Sequence, residues 1–358
     1  MIRLVTNMVG QSKAKVVRMK KSISMQGIAD KLGVSKNSVY LALNDKPGVS
    51  GTLKQRIRDA AISMGYGEFP AKKQNVCIPV IVPEYLHGDM FFYADVFWAI
   101  DAEARRQGYL PVNTVVSRDA EARLEMPAMP MGMMVAGLLI VGILSKPYVK
   151  KLYELGLPML SVDIHYPFVP ISCVETDNFT GAYDATQYLI DAGHVSIGFV
   201  GPIYSAQSVY ARWSGYRQAM DENQLPVDKQ WCIRGHRNGL ELFDTAEALL
   251  PHMEALEAMP TAWLCAGDRI AVAVVNLMQR RGLRVPEDVS VMGFDDLPVS
   301  EMILPKLSTM HVQRKRMGRI AVDHLINADN DDDGPITINL STRLVTRDSV
   351  ASPRSATH

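Results

Sequence analysis

Lysine and arginine crowd the start of this 358-residue chain, although its 38 basic and 38 acidic side chains balance overall. Arg3, Lys13, Lys15, Arg18, Lys20, Lys21, Lys31, Lys36, Lys46, Lys54, Arg56, Arg58, Lys72 and Lys73 all fall in the first 75 residues, with few acids opposing them. Cations clustered in this way neutralise phosphates and hold a protein on nucleic acid. Catalytic chemistry has no comparable signal. There is no G-x-S-x-G elbow, no P-loop, no H-E-x-x-H and no glycine fingerprint after the first strand, so the chain reads as a non-enzyme with no cofactor. Cys77, Cys173, Cys232 and Cys265 are scattered without metal-type pairing and read as buried reduced thiols. His194 follows a helix end and reads as structural rather than as a proton carrier.

The elements that must carry the cations are three short helices. Ile28, Ala29 and Leu32 share one face of a first helix, and Val34 packs at a turn. Val39 with Ala42 or Leu43 gives the inner face of a second helix. Gly33 stands where a tight turn needs positive φ, and Ser35 can cap a helix that begins at Lys36. A third helix starts from Ser50 or Thr52, buries Leu53, Ile57, Ala60, Ala61 and Met64, and stops at Gly65. Residues 24–44 therefore have the spacing of a helix-turn-helix, which lays its second helix in the DNA major groove. The same spacing fits any small three-helix unit with a glycine turn. The first twenty residues show no steady apolar period. They read as a basic arm for DNA, or as a lead upstream of a start at Met19.

From residue 76 the chain alternates apolar strands with amphipathic helices. Strands are expected at 76–82, 109–116, 137–142, 158–163, 195–200, 262–265 and 289–293. Helices are expected at 91–107, 146–155, 180–192, 210–223, 240–258 and 268–281. Pro79 suggests that the first strand is an edge or carries a bulge. Such alternation predicts parallel sheets with helices on both faces, and there is enough of it for two lobes. A ligand would bind beyond the carboxyl ends of the strands, in a cleft between the lobes. No apolar run is long enough to span a membrane; the longest, 129–144, is broken by Pro130, Gly132 and Gly137. With no secretory h-region at the N-terminus, a cytoplasmic protein is expected.

These residues resemble the LacI/GalR family of bacterial transcription regulators. The head follows its A-x-x-x-G-V-S-x-x-T-V-S-x-x-L-N pattern from Ala29 to Asn44, with Ser38, Tyr40 and Leu41 as variants. The body follows it at 174–182, 189–199, 212–216, 285–296 and 305–312, in the family's order. The resemblance implies a helix-turn-helix head on a periplasmic-binding-protein-like body of two doubly wound parallel-sheet lobes. It also implies a homodimer on a palindromic operator, and a sugar or sugar derivative bound between the lobes. The base-reading positions fall on Lys36, Asn37 and Leu41. Lysine can bond guanine N7 or O6, asparagine pairs with adenine, and Leu41, where the family usually has arginine, can meet a thymine methyl. Ser35, Ser38, Tyr40, Asn44, Lys54 and Arg56 read as phosphate contacts.

For the effector, the family positions give Arg212 and Asp295 first, then Asp177 and Ser208. Phe91, with Phe92 and Tyr85, follows the first strand, where an aromatic can cover a ring face or simply join the core. Asp177 reads equally well as a helix-start residue. Gly267-Asp268 stands where Asn-Asp is usual, which removes one polar contact. A positive charge at Arg314, near the lobe junction, favours an anionic ligand such as a sugar acid or sugar phosphate. The expected organisation is a basic disordered extension (1–22), a head (23–66), a linker (67–75), a two-lobed body (76–350) and a tail (351–358). The linker lacks the family's Pro-Asn pair and minor-groove leucine; an extended basic tether is expected there, with an operator tolerant of change at its centre. Helices near 99–106 and 319–325 are expected at the dimer face. The competing reading is a cytoplasmic sugar-binding or sugar-processing protein with a vestigial head.

Overall fold

The structure, a computed structural model, describes residues 24–43, 46–64, 76–86, 91–128, 132–236, 243–327 and 334–354. The chain forms two compact units that divide between Lys72 and Lys73. The expected extension, Asn44, Gly65 and the linker 67–75 lie outside the described residues.

The first unit contains α1 (Met25–Leu32), α2 (Lys36–Leu43) and α3 (Gly51–Met64). Ser24 caps α1, accepting the Gly27 amide at 3.3 Å. Gly33 closes α1 at φ +66°, in the left-handed region where a Cβ is costly. Ser35 Oγ accepts the Ser38 amide at 3.0 Å, so α2 begins at Lys36 as its cap requires. At α3 the cap is Ser50, whose Oγ accepts the Leu53 amide at 3.3 Å. Ile28, Ala29, Val39, Ala42, Leu43, Ile57 and Ala61 form the core, with Leu32, Val34, Leu53 and Met64 packed around it.

In the second unit, the first lobe is built from β1 (Val76–Pro83), α4 (Phe92–Arg106), β2 (Leu110–Val116), α5 (Arg118–Ala122), β3 (Met134–Val135), β4 (Leu138–Val141), α6 (Lys146–Tyr153), β5 (Met159–Val162) and β6 (Ser172–Thr176). The second lobe follows with α7 (Asn178–Asp191), β7 (Ile197–Val200), α8 (Gln207–Glu222), β8 (Cys232–Ile233), α9 (Ala246–Glu254), β9 (Ala262–Cys265), α10 (Asp268–Arg280), β10 (Ser290–Met292), α11 (Val299–Met302) and β11 (Thr309–His311). The chain then returns to the first lobe with α12 (Arg314–Asn327) and β12 (Thr337–Leu340), and ends at β13 (Arg343–Val345).

Among the described residues the first sheet runs β12-β6-β5-β4-β1-β2, with β3 also paired to β1, and the second runs β10-β9-β7-β8. Both are parallel throughout. Helices cover both faces of such sheets, so β4 and β9 are buried along their whole lengths and read as unbroken apolar runs. Three short segments, near 176–178, 311–314 and 340–343, connect the lobes, and β11 pairs antiparallel with β13 beside them.

Pro79 did not mark an edge. β1 is an interior strand, flanked by β2 on one side and by β3 and β4 on the other. Its partner on that second side changes from β3 at Cys77 to β4 at Val80, and Pro79 falls in the gap, where no ladder position needs its missing amide. The helix expected over 240–258 is shorter. It starts after Thr245, whose Oγ1 accepts the Ala248 amide at 3.2 Å. Gly215 marks the closest helix approach: a Cβ there would lie 2.1 Å from the Phe179 carbonyl, so α7 and α8 meet backbone to backbone.

His194 is structural, as its place after a helix suggests. Its ring is buried between Thr261 Oγ1 (2.9 Å), Ser290 Oγ (3.0 Å) and the Ala351 carbonyl (2.9 Å). Cys77, Cys173 and Cys265 are buried free thiols, and Cys232 is half-buried. Among the described residues no helix is long and apolar enough to cross a membrane.

Candidate functional site

Two surfaces carry the candidate residues. The first is the outer face of α2. Val39 turns into the core, which leaves Lys36, Asn37 and Tyr40 exposed one turn apart. Ser35 and Ser38 share a hydroxyl contact of 2.8 Å at the helix start. Lys46 donates to the Tyr40 hydroxyl at 3.0 Å and lies 4.9 Å from the ring centre, so an ammonium is held beside this face. Sequence reading counted Lys46 among the basic residues without giving it a place. Leu41 is half-buried and leans on the turn after α2, where Gly48 leaves room for its Cδ1. On α3, Arg56 is exposed and Lys54 half-exposed.

The second surface is a cavity of about 250 Å3 between the lobes. Phe91, Phe92 and Tyr93, at the start of α4, form its wall on the first lobe. Val209 and Arg212 from α8, Gly267, Arg269 and Ile270 around the start of α10, and Asp295 and Leu297 after β10 form the wall on the second. Asp163, at the carboxyl end of β5, and Asp244 complete it. These are the strand ends and helix starts where ligands of parallel α/β folds bind. A hollow of about 740 Å3 at the amino ends of β5, β6 and β12 is larger, but no carboxylate or guanidinium lines it.

Arg212 organises the cavity floor. Its Nε donates to Asn178 Oδ1 at 2.8 Å, its Nη1 donates to the Ala266 carbonyl, and its Nη2 pairs with Asp295 Oδ1 at 3.1 Å. The guanidinium also stacks 3.8 Å from the centre of Phe294. Beneath the Asp295 loop, buried Asp268 accepts Thr309 Oγ1 at 2.6 Å and the Leu297 amide at 2.7 Å. Burial, with the nearby Asp295 charge adding to it, pushes the Asp268 carboxyl up to about 8. Asp295 and Asp296 sit at φ +110° and +53°, so the loop is held in a conformation rare for side-chain-bearing residues. Gly267 suits this packing, since a Cβ there would lie 3.1 Å from Asp295 Oδ2.

Of the residues read from sequence, Arg212, Asp295, Phe91 and Phe92 meet at this cavity. Asp177 and Ser208 do not line it. Asp177 caps α7, accepting the Thr180 amide at 3.1 Å, which matches its alternative reading as a helix-start residue. Tyr85 bonds the Ile143 backbone outside the cavity. Arg314 requires a correction, because its charge is not presented to a ligand. Its Nε reaches Asp95 at 3.3 Å, Nη1 the Asp295 carbonyl, and Nη2 the Asp296 carbonyl at 3.1 Å. Asp95 lies on α4 and the two carbonyls on the second lobe, so Arg314 clips the lobes together.

Sequence reading missed Asp163. Its signal was its place, a lone carboxylate directly after an apolar strand. Tyr93 donates to its Oδ2 at 2.9 Å, while its Oδ1 has no hydrogen-bond partner among the described residues. Burial raises its carboxyl to about 7, against the lowering pull of the Tyr93 hydroxyl and the Arg212 charge.

Comparison with known proteins agrees with this architecture. Residues 186–350 match the periplasmic binding protein-like domain. The HTH-type transcriptional repressor PurR of Haemophilus influenzae (strain PittEE) is 26% identical over 346 residues, covering 92% of this chain and 99% of that protein. The HTH-type transcriptional repressor CytR of Escherichia coli (strain K12) is 27% identical over 315 residues, covering 86% and 90%. Among solved structures, the lac repressor dimer bound to operator and the anti-inducer ONPF superposes with a TM-score of 0.64 at 22% identity, covering 92% of this chain and all of that one. The transcriptional regulator CelR–cellobiose complex gives 0.64 at 23% identity, covering 91% and 99%. With a capped helix-turn-helix at its head, followed in sequence by two parallel-sheet lobes, the chain shares the fold of the LacI-family regulators of solved structure and is similar in sequence to the repressors PurR and CytR along most of its length.

Proposed function

We propose that the chain is a sequence-specific DNA-binding repressor whose operator affinity is set by a small effector held between the lobes. The observation that carries this is the exposed face of α2, where Lys36 and Asn37 project from a helix fixed by the buried Val39 and the Ser35 cap. In this reading Lys36 and Asn37 contact base edges, with Leu41 offering an apolar contact one turn on. Ser35, Ser38, Tyr40, Asn44, Lys54 and Arg56 hold phosphates and fix register. A homodimer places two such helices on a palindromic operator. The outer faces of α4 and α12, which pack on each other within the subunit, supply part of the dimer contact. Trp98, 71% exposed on α4, suits that role.

Arg212, Asp295 and Phe91 contact the effector, with Asp177 and Ser208 behind them. The relatives of solved structure include complexes with cellobiose and with ribose. A cavity of about 250 Å3 falls below the roughly 300–1,000 Å3 of drug-sized sites, and suits a single ring. Such a ligand alters operator affinity only through its different affinities for the body's two states. The protein works by binding rather than by turnover, in the cytoplasm.

Selection of bound sequences from a random duplex pool by the purified full-length protein tests this reading. A recovered palindrome with a defined half-site is expected, with looser constraint at its centre. Salt-sensitive binding without any sequence preference would refute it.

A further inference from the structure

We propose that the cleft selects a single-ring ligand carrying a protonated nitrogen, and that Asp163 is the side chain that recognises it. The inference rests on the cleft being the effector site, and adds the charge of the ligand. Five charged side chains line the cavity, Asp163, Asp244, Asp295, Arg212 and Arg269. Arg212 pairs with Asp295, and Arg269 pairs with Asp244. Asp163 is left over. It is only 7% exposed, no guanidinium or ammonium is bonded to it among the described residues, and its Oδ1 lacks any hydrogen-bond partner there. A buried carboxylate oxygen without a donor is costly, and a ligand N–H would satisfy it with a charge-assisted bond.

The remaining walls agree with that assignment. Phe91, Phe92 and Tyr93 line the same side of the cavity as Asp163, and the first two already hold cations near their faces. Arg269 lies 5.5 Å from the Phe91 centroid and Arg314 5.8 Å from that of Phe92. Aromatic rings beside a carboxylate make a site for an organic cation. An anion would meet Asp163 directly. It would find every nitrogen of Arg212 already on a protein partner. The groups facing Asp163 are Tyr93 from α4, Arg212 from α8, Asp295 from the loop after β10, Glu175 and Cys173 from β6, and Tyr85 from the turn after β1. Since this carboxyl titrates at about 7, a cation binds more tightly as pH rises through that value, because less of it must first lose a proton.

The test uses the full-length protein and three rings of matched shape, cyclohexylamine, cyclohexanol and cyclohexanecarboxylate, by titration calorimetry at pH 6 and pH 8. The amine is expected to bind in preference to the other two, with a dissociation constant about tenfold lower at pH 8. Asp163→Asn, which keeps an acceptor for Tyr93, should abolish that preference. Tyr93→Phe should keep it, which separates charge recognition from damage to the wall. Equal or tighter binding of the alcohol or the carboxylate would overturn the inference while leaving the cleft as the effector site. Amine binding that survives Asp163→Asn would overturn it too. So would no binding of any ring by a protein that still selects a DNA palindrome, an outcome that leaves the repressor reading standing.

Discussion

The helix-turn-helix and the cleft reach function by opposite routes. The head is one run of forty residues, and each candidate contact is set by a cap or an apolar neighbour within a turn or two of it. The cleft is gathered from segments near 91, 163, 209, 244, 267 and 295, and its geometry exists only once two sheets have formed. Local patterns of capping and periodicity therefore describe the first. Strand order and buried ion pairs decide the second.

Substitutions can test that contrast. The largest effect is expected at Arg212. Arg212→Ala leaves Asp295, Asn178 and the Ala266 carbonyl without their buried partner, which should cost roughly 3–5 kcal/mol of body stability. Chemical denaturation followed by tryptophan fluorescence would show it, since all four tryptophans lie in the body. An unchanged midpoint would mean that the pair does not organise the lobes. Gly215→Ala comes next. Its methyl would strike the Phe179 carbonyl, and forcing α7 from α8 should cost about 1–3 kcal/mol. A neutral result in the same assay would show that the helices can slide apart cheaply.

Changes in the head should leave that transition untouched. Asn37→Ala should cost about 1–3 kcal/mol at one base pair of each half-site. Binding to operators altered one position at a time would reveal it, and a uniform loss across all of them would reassign Asn37 to the phosphates. Ser35→Ala removes the cap of α2 and should cost about 1 kcal/mol. Helicity melts of the full chain should lose their head component earlier, and no change would mean that the cap is dispensable once α2 is packed.

What was legible in the sequence follows the same division. Gly33, Ser35 and the Ile28–Val39–Ile57 core could be read because their causes are local. The parallel lobes were legible because strands buried on both faces are apolar throughout. β6 and β12 were not, since Ser172–Thr176 and Thr337–Leu340 mix polar and apolar residues near the sheet edge. Pro79 misled because the break in its neighbouring ladder is made by residues more than fifty positions away. Asp163 was missed and Arg314 misread for a related reason. The type of a charged residue is written in the chain, but its partner is not: Tyr93 lies 70 positions from Asp163, and Asp95 lies 219 from Arg314.

The Arg314 clip also bears on time. One guanidinium bonded to α4 and to two carbonyls of the opposite lobe ties the two lobes together beside the cavity. If lobe movement limits ligand binding, release of this clip sets its pace. Association measured by stopped flow should level off at high ligand concentration, at a ceiling set by the opening rate. Shortening this one side chain should raise that ceiling, so the cell's response time to its effector is written partly in a residue that need not touch the effector at all.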